Sequence, residues 1–140
     1  MNRKAVARRL LAVAKSLVGV SGDTAFTIMK PIRFKPEHGT RNSLENARMI
    51  VDAGYRFVKG VYTYDTTRGG WELQAFFDRD GETAIHTFNG FSFGYGGEGP
   101  HGLLEFGQIF GLGLKADKIL VHDGAGLPEK GTVDLVQAFG

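Results

Sequence analysis

Apolar and polar positions alternate with a period of two through the middle of this chain. Three segments rich in aromatic and β-branched residues show the pattern: YRFVKGVYTYD, WELQAFFD and TAIHTFNGFSF. Such alternation predicts half-buried strands, and Asp80-Gly81 between the last two segments is a strong hairpin signal. We therefore expect an antiparallel meander with one covered face. In the second segment the expected core positions are Trp71, Leu73, Ala75 and Phe77, with Glu72, Gln74 and Asp78 pointing outward.

Apolar residues at spacings of three and four predict helices elsewhere. One is a basic helix over Asn2–Val18, whose charged residues either form a solvated face or contact an acidic lipid, a nucleic acid or a partner. A second begins at a capping-box pattern, Asn42 with Glu45, and ends at Gly54. Its expected buried stripe is Leu44, Ala47, Ile50 and Val51.

A third, short helix is expected over Leu103–Leu112, with Pro100 suited to the first position of a helix. Two further strands are indicated, Thr24–Phe34, which Pro31 confines to a sheet edge, and the segment KILVHD. The C-terminal GTVDLVQAFG fits either a strand or a final helical turn. Together these elements predict an α+β fold with one core domain over residues 20–140, preceded by the basic helix over residues 1–19.

Composition narrows the classes of function. The chain has 140 residues, of which 42% are apolar, which suits a single domain. It has no cysteine, so disulfides, zinc–thiolate sites and cysteine nucleophiles are excluded. The net charge of +2 does not favour nucleic acid, and no apolar run is long enough to span a bilayer. We expect a cytoplasmic protein without a membrane partner.

The stretch FNGFSFGYGGEGPHGLLEF contains most of the candidate chemistry. Gly94, Gly96 and Gly99 match the dinucleotide fingerprint G-x-G-x-x-G, and Asp123 lies where a ribose-binding acid would be expected. The fingerprint belongs to buried parallel strands, however, and the strands predicted here are antiparallel and polar at alternate positions. No Gly-Lys-Ser or Gly-Lys-Thr follows the glycines, which excludes a Walker-type phosphate loop.

Two interpretations of the glycine loop remain open. The glycines either allow positive φ in a tight turn, or leave backbone N–H groups accessible to an anion at a helix start. Glu98 counts against a phosphate pressed directly on the loop. The candidate ligand-binding residues comprise cations, rings, edge groups, loop glycines and one histidine: Arg33, Lys35, Arg41, Arg56, Arg68, Phe91, Phe93, Tyr95, Asn89, Glu98, Gly96, Gly97 and His101. Core packing is the alternative for Phe91 and Phe93, and a solvated position is the alternative for each arginine.

Catalysis has less support from the residues. His38, His86, His101 and His122 occur singly, without the H-E-x-x-H spacing of a zinc site. Ser43 and Ser92 lack the G-x-S-x-G context of a serine nucleophile. An acid–base pair of histidines from distant positions remains open, but we expect no catalytic residue, metal or cofactor.

The loop G-Y-G-G-x-G-P followed by a leucine-containing helix resembles small phage and prokaryotic proteins, and the basic segment 1–18 resembles the N-terminal helices of many phage proteins. Among these, the chain is similar to the anti-Thoeris sponges, which sequester a cyclic ADP-ribose signal without cleaving it. The resemblance implies a phage-associated, non-catalytic protein of the host cytoplasm that binds a small nucleotide-type signal. A homo-oligomer, a phage assembly protein and a small nucleotide-processing enzyme remain open.

Overall fold

A computed structural model of the chain describes residues 32–122 and 125–140. The predicted basic helix, most of the predicted strand Thr24–Phe34, and Asp123 lie outside the described residues; residues 32–34 are not in a strand. The described elements follow the order α1 (Thr40–Asp52), β1 (Arg56–Asp65), β2 (Gly70–Arg79), β3 (Glu82–Phe88), α2 (Glu98–Phe110), α3 (Ala116–Ile119), β4 (Lys130–Asp134) and α4 (Leu135–Phe139). The α+β prediction is confirmed. None of these helices combines the length and apolarity that crossing a membrane requires.

The four strands form one antiparallel sheet in the order β3-β2-β1-β4. Leu73 at the centre of β2 lies opposite Tyr62 of β1 and Phe88 of β3. Asp80 and Gly81 join β2 to β3 with φ values of 53° and 81°, the two positive φ angles of a type I′ hairpin. The predicted meander is therefore present, and the C-terminal segment supplies both a strand, β4, and a final helix, α4.

One face of the sheet is covered by α1 and α2 and carries most of the core. Leu73, Ala75 and Phe77 are fully buried as predicted, while Trp71 is partly buried. Phe106 of α2 packs among the rings of this face at centroid distances of 5.1 Å to Phe88 and 5.3 Å to Phe91. The opposite face is less polar than expected, because Phe76 and Val61 are also buried.

Helix α1 begins two residues before the predicted capping box. Gly39 is the residue before its first turn and no side chain caps it; Asn42 lies inside the helix and donates from Nδ2 to the carbonyl of Pro36. Gly54, with φ of 90°, follows the end of the helix as predicted. The buried stripe is also shifted toward polar residues: it contains Thr40, Ser43, Asn46, Ala47 and Ile50, whereas Leu44 and Val51 are only partly buried.

Three other boundaries differ from the prediction. The strand TAIHTFNGFSF ends at Phe88, because Gly90 bonds to side chains of α1 instead of to a neighbouring strand. Helix α2 begins at Glu98, so Pro100 is its third residue, and it ends at Phe110, followed by Gly111 with φ of 68°. In KILVHD, residues 118–122 form no strand. Its first residues complete α3, the Ile119 carbonyl accepts the N–H of Gly94, and residues 130–134 pair with β1 at the sheet edge.

Candidate functional site

Residues 89–97, called the glycine loop below, cross from the end of β3 to the start of α2. The base of the loop is fixed by two hydrogen bonds, of which the first is buried. The hydroxyl of Tyr62 donates to the carbonyl of Phe91 at 2.7 Å, and the N–H of Gly94 donates to the carbonyl of Ile119 at 2.7 Å. Burial raises the pKa of Tyr62 well above its ordinary value, so this hydroxyl keeps its proton. The tip, residues 95–97, extends beyond these anchors.

A cavity of about 610 Å³ lies on one side of the glycine loop. We call it the large cavity. One wall is made of Trp71, Phe93, Gly94 and Tyr95, and the remainder of Thr66, His122, Ala125, Leu127, Pro128 and Glu129. The Phe93 ring meets those of Tyr64 and Trp71 edge-on, at centroid distances of 4.9 and 5.5 Å, and these contacts fix the position of the Phe93 ring in the wall. The volume falls within the usual range for small-molecule sites.

A small cavity of about 310 Å³ lies on the other side of the loop. It is lined by Gly39, Thr40, Trp71, Asn89, Gly90, Phe91, Ser92, Tyr95, Glu98 and Gly99. Trp71 and Tyr95 therefore belong to both cavities. The hydroxyl groups of Tyr95 and Ser92 are 2.7 Å apart and share a hydrogen bond. Gly99 has to be small here, because a Cβ at this position would overlap Ser92 Oγ.

A third depression of about 470 Å³ runs between α1 and α2 and is strongly charged. Arg41 pairs with Glu45 at 3.5 Å, and Arg48 bonds to Glu105 across the two helices. Glu98 and His101 also line it. Because both arginines are neutralised by carboxylates, this groove offers little unpaired positive charge to a phosphate.

The structure brings together some of the predicted site residues and separates others. Tyr95 lines both cavities, Phe93 the large one, and Asn89, Phe91 and Glu98 the small one. Gly97 lies directly beneath the Tyr95 ring, and Gly96 has no neighbouring atom where a Cβ would be. The three cavities around the loop do not include Arg33, Arg56 or Arg68. Arg56 pairs with Asp78 on the sheet surface, and the backbone N–H of Arg68 donates to Asp65.

The Phe91 side chain is 1% exposed and packs in the core. Phe91 contributes to the loop through its carbonyl oxygen, which accepts the hydrogen bond from Tyr62 and so fixes the backbone at the base of the loop.

A second polar constellation is centred on Glu37, which the sequence did not single out. Its carboxylate accepts hydrogen bonds from Ser43 Oγ at 2.6 Å, from Asn46 Nδ2, and from the backbone N–H of Asn89 at 3.0 Å. His86 Nε2 lies 2.9 Å from the same carboxylate, between the rings of Phe34 and Phe88. We call these residues the Glu37 network.

The electrostatics of the Glu37 network favour a charged carboxylate. Burial alone would raise the pKa of Glu37, but hydrogen bonds from His86, Ser43, Asn46 and the Asn89 N–H outweigh it and hold the pKa below its ordinary value of 4.5. The order of groups does not suit nucleophilic catalysis, which needs a base next to the hydroxyl and a third group that orients the base. Here Ser43 donates to the carboxylate, and the carboxylate separates it from the imidazole.

The Glu37 network is assembled from positions far apart in sequence, which is why no motif reveals it. One signal was present: Thr40, Ser43 and Asn46 continue the helical stripe of Ala47 and Ile50, so polar groups on the buried face of α1 required partners. Across the described ranges 32–122 and 125–140, no group of three His, Cys, Asp or Glu residues could hold a metal ion.

Comparisons with protein-family models, with curated proteins and with solved structures find no match for this chain.

Proposed function

We propose that this protein is a non-catalytic binding module that holds a small nucleotide-type ligand in the large cavity. The observation that carries the proposal is the aromatic wall of a cavity of about 610 Å³, formed by Trp71, Phe93 and Tyr95. Bases stack on such rings whatever their sequence identity, and stacking contributes about 1–3 kcal/mol per base. The Tyr95 ring is half exposed, which leaves its surface accessible to a base.

The charges around the cavity decide which part of a nucleotide enters it. Glu129 lines the large cavity and Glu98 the small one, and both disfavour an adjacent phosphate. We therefore assign the base and the sugar to the cavity, where Thr66 and Glu129 supply polar groups for their edges, and leave the phosphate toward solvent. On the resemblance of the glycine loop, the proposal extends to sequestration of a small nucleotide-type signal by a phage-associated protein.

Trp71 allows a direct test, because it is the only tryptophan in the chain and lines the cavity. We would titrate the protein with AMP, ADP and cyclic ADP-ribose while recording tryptophan fluorescence, and measure Tm with and without each ligand. Binding is expected to change the fluorescence and raise Tm by an amount that grows with ligand concentration. Nucleotide recovered after denaturation should be chemically unchanged.

Tyr95→Ala removes the exposed ring and should weaken binding roughly 10-fold or more, from the loss of stacking. Val58→Ala is the control, since Val58 has similar exposure, 48% against 49%, but lies on β1 and does not line the cavity. The proposal fails if none of the three nucleotides changes the fluorescence or Tm of the wild-type protein. Recovery of a converted nucleotide would replace the binding module with an enzyme.

A further inference from the structure

The large and small cavities share a partition made of two side chains, Trp71 and Tyr95. Building on the proposed function, we propose that the ligand has two bases, one in each cavity, and that Tyr95 is the movable part of the partition between them. The site would then select dinucleotide-type ligands over mononucleotides, with Tyr95 as the residue that determines this specificity.

The two halves of the partition are held very differently. Trp71 lies nearly parallel to the Tyr62 ring at 6.4 Å and meets Phe93 edge-on at 5.5 Å, so its position is set by the aromatic core. Tyr95 has no such ring contact within the described part of the chain. Its position depends on the hydrogen bond to Ser92 Oγ, and one such bond contributes only about 1 kcal/mol net.

The backbone beside Tyr95 also permits movement. Gly94 precedes it with φ of 92°, and Gly96 and Gly97 follow it, so the ring is flanked by residues that have no side chain of their own. The base of the loop stays anchored through Phe91 and Gly94. A change in the Tyr95 position therefore requires no change in the core.

The lining of the small cavity suits a second base. Asn89 and Glu98 line it near Tyr95, and an amide offers both a donor and an acceptor to the edge of a base. The large cavity is about twice the volume of the small one, 610 against 310 Å³, so a base with its sugar fits the first and a base alone the second. A ligand that spans both places one base on each side of the half-exposed Tyr95 ring and leaves the linking phosphate toward solvent, as in the proposed function.

Two neighbouring glycines supply a matched pair of variants. A Cβ at Gly97 would lie 2.5 Å from Cε2 of Tyr95 and would push the ring away, whereas a Cβ at Gly96 meets nothing within 4 Å. Gly97→Ala and Gly96→Ala thus make the same chemical change one residue apart, and only the first displaces the partition. Asn89→Ala removes a polar group that lines the small cavity and not the large one.

The experiment measures dissociation constants for AMP and for the linear dinucleotide ApA by Trp71 fluorescence, with Tm recorded for each variant to confirm folding. In the wild type ApA should bind at least about 10-fold more tightly than AMP, because a second base stacks. Gly97→Ala should weaken ApA binding by about 5-fold or more, and Gly96→Ala by less than about 2-fold. Asn89→Ala should weaken ApA binding and leave AMP binding unchanged.

The failures of the two proposals are distinguishable. If AMP binds and Tyr95→Ala weakens its binding, but ApA binds no more tightly and Asn89→Ala has no effect, the two-base proposal is overturned and the binding module stands. Equal ApA affinities in the Gly96→Ala and Gly97→Ala proteins would overturn the role of Tyr95 as partition. Absence of binding for AMP and ApA would overturn the two-base proposal, and absence of binding for ADP and cyclic ADP-ribose as well would overturn both proposals.

Discussion

The two long helices begin in similar ways, yet the segments before them differ in how firmly hydrogen bonds hold them. Both α1 and α2 follow a glycine, Gly39 and Gly97, and neither start has a side-chain cap. Before α1, the partly buried Glu37 carboxylate is engaged by Ser43, Asn46, His86 and the Asn89 N–H. Before α2, the Tyr95 side chain at the tip of the glycine loop is held by its hydrogen bond to Ser92.

This difference separates a structural site from a candidate binding site. Polar groups that already satisfy one another, as around Glu37, have little capacity left for a ligand and instead fix the chain. Rings and hydroxyl groups beside a cavity, as around Tyr95, leave surface that a ligand can cover. The lowered pKa of Glu37 therefore belongs to a structural network, and the proposed ligand site lies at the less constrained glycine loop.

The largest expected effect on stability is at Gly90, where the glycine loop contacts the start of α1. Gly90 donates its N–H to Ser43 Oγ and accepts from the Thr40 hydroxyl, and a Cβ here would lie 2.5 Å from the Gly39 carbonyl oxygen. Since backbone has to move to relieve that overlap, Gly90→Ala should lower the free energy of unfolding by about 3 kcal/mol. Urea denaturation followed by circular dichroism measures the loss.

Gly96→Ala is the control for that experiment, because a Cβ there is in open space. Its free energy of unfolding should stay within about 0.5 kcal/mol of the wild type. Similar losses for both variants would mean that the close packing of the glycine loop on α1 does not contribute to stability, and the comparison between the two segments would lose its basis.

A second prediction concerns the Glu37 carboxylate. Glu37→Gln keeps the shape but replaces one acceptor oxygen with a donor amide, which then faces the donors Ser43, Asn46 and His86. We expect a loss of about 2 kcal/mol in the free energy of unfolding, since hydrogen bonds to charged groups are stronger than those between neutral groups. Glu45→Gln, in the exposed pair with Arg41, should cost less than about 0.5 kcal/mol. Equal losses would show that the Glu37 network is no stronger than a surface ion pair.

Low pH should remove the contribution of the Glu37 carboxylate to the free energy of unfolding. The folded-state pKa of Glu37 lies below its ordinary value of 4.5, so its contribution is complete above that value and is lost as the pH falls through the lower folded-state pKa. The difference in the free energy of unfolding between wild type and Glu37→Gln should therefore be constant from pH 7 to about 5 and shrink below about 4.5. A difference that persists unchanged to pH 2 would assign the effect of the substitution to packing.

The sequence predicts the sheet and fails where side chains from distant segments take over. The β2–β3 hairpin follows from local rules, because alternation fixes the faces and Asp80-Gly81 fixes the turn. The capping box at Asn42 was wrong, since the Glu37 network organises the chain before α1 and the helix begins earlier. KILVHD was wrong as a strand for a different reason: apolar runs this short do not distinguish a strand from a buried helical turn.

The candidate site divides in the same way. Local sequence identified the glycine loop and Tyr95, because glycine density and aromatic residues are visible without a fold. Trp71 was expected only as a core residue, since its position in both cavities depends on how the end of β2 meets the loop. Arg33, Arg56 and Arg68 are candidates by charge alone, and charge does not specify which face a residue occupies.

The smallest predicted effect concerns the base of the glycine loop. Tyr62→Phe removes the hydroxyl that donates to the buried carbonyl of Phe91, so the free energy of unfolding should fall by about 1 kcal/mol. Tyr64→Phe is the matched control, because the Tyr64 hydroxyl bonds to the carbonyl of Pro128, an exposed residue that water can reach, and we expect a loss below about 0.5 kcal/mol. Urea denaturation compares the two variants, and Trp71 fluorescence shows whether the aromatic wall stays in place. If Tyr62→Phe costs no more than Tyr64→Phe, the loop base is not anchored through Phe91, and movement of Tyr95 would then involve the whole loop instead of its tip.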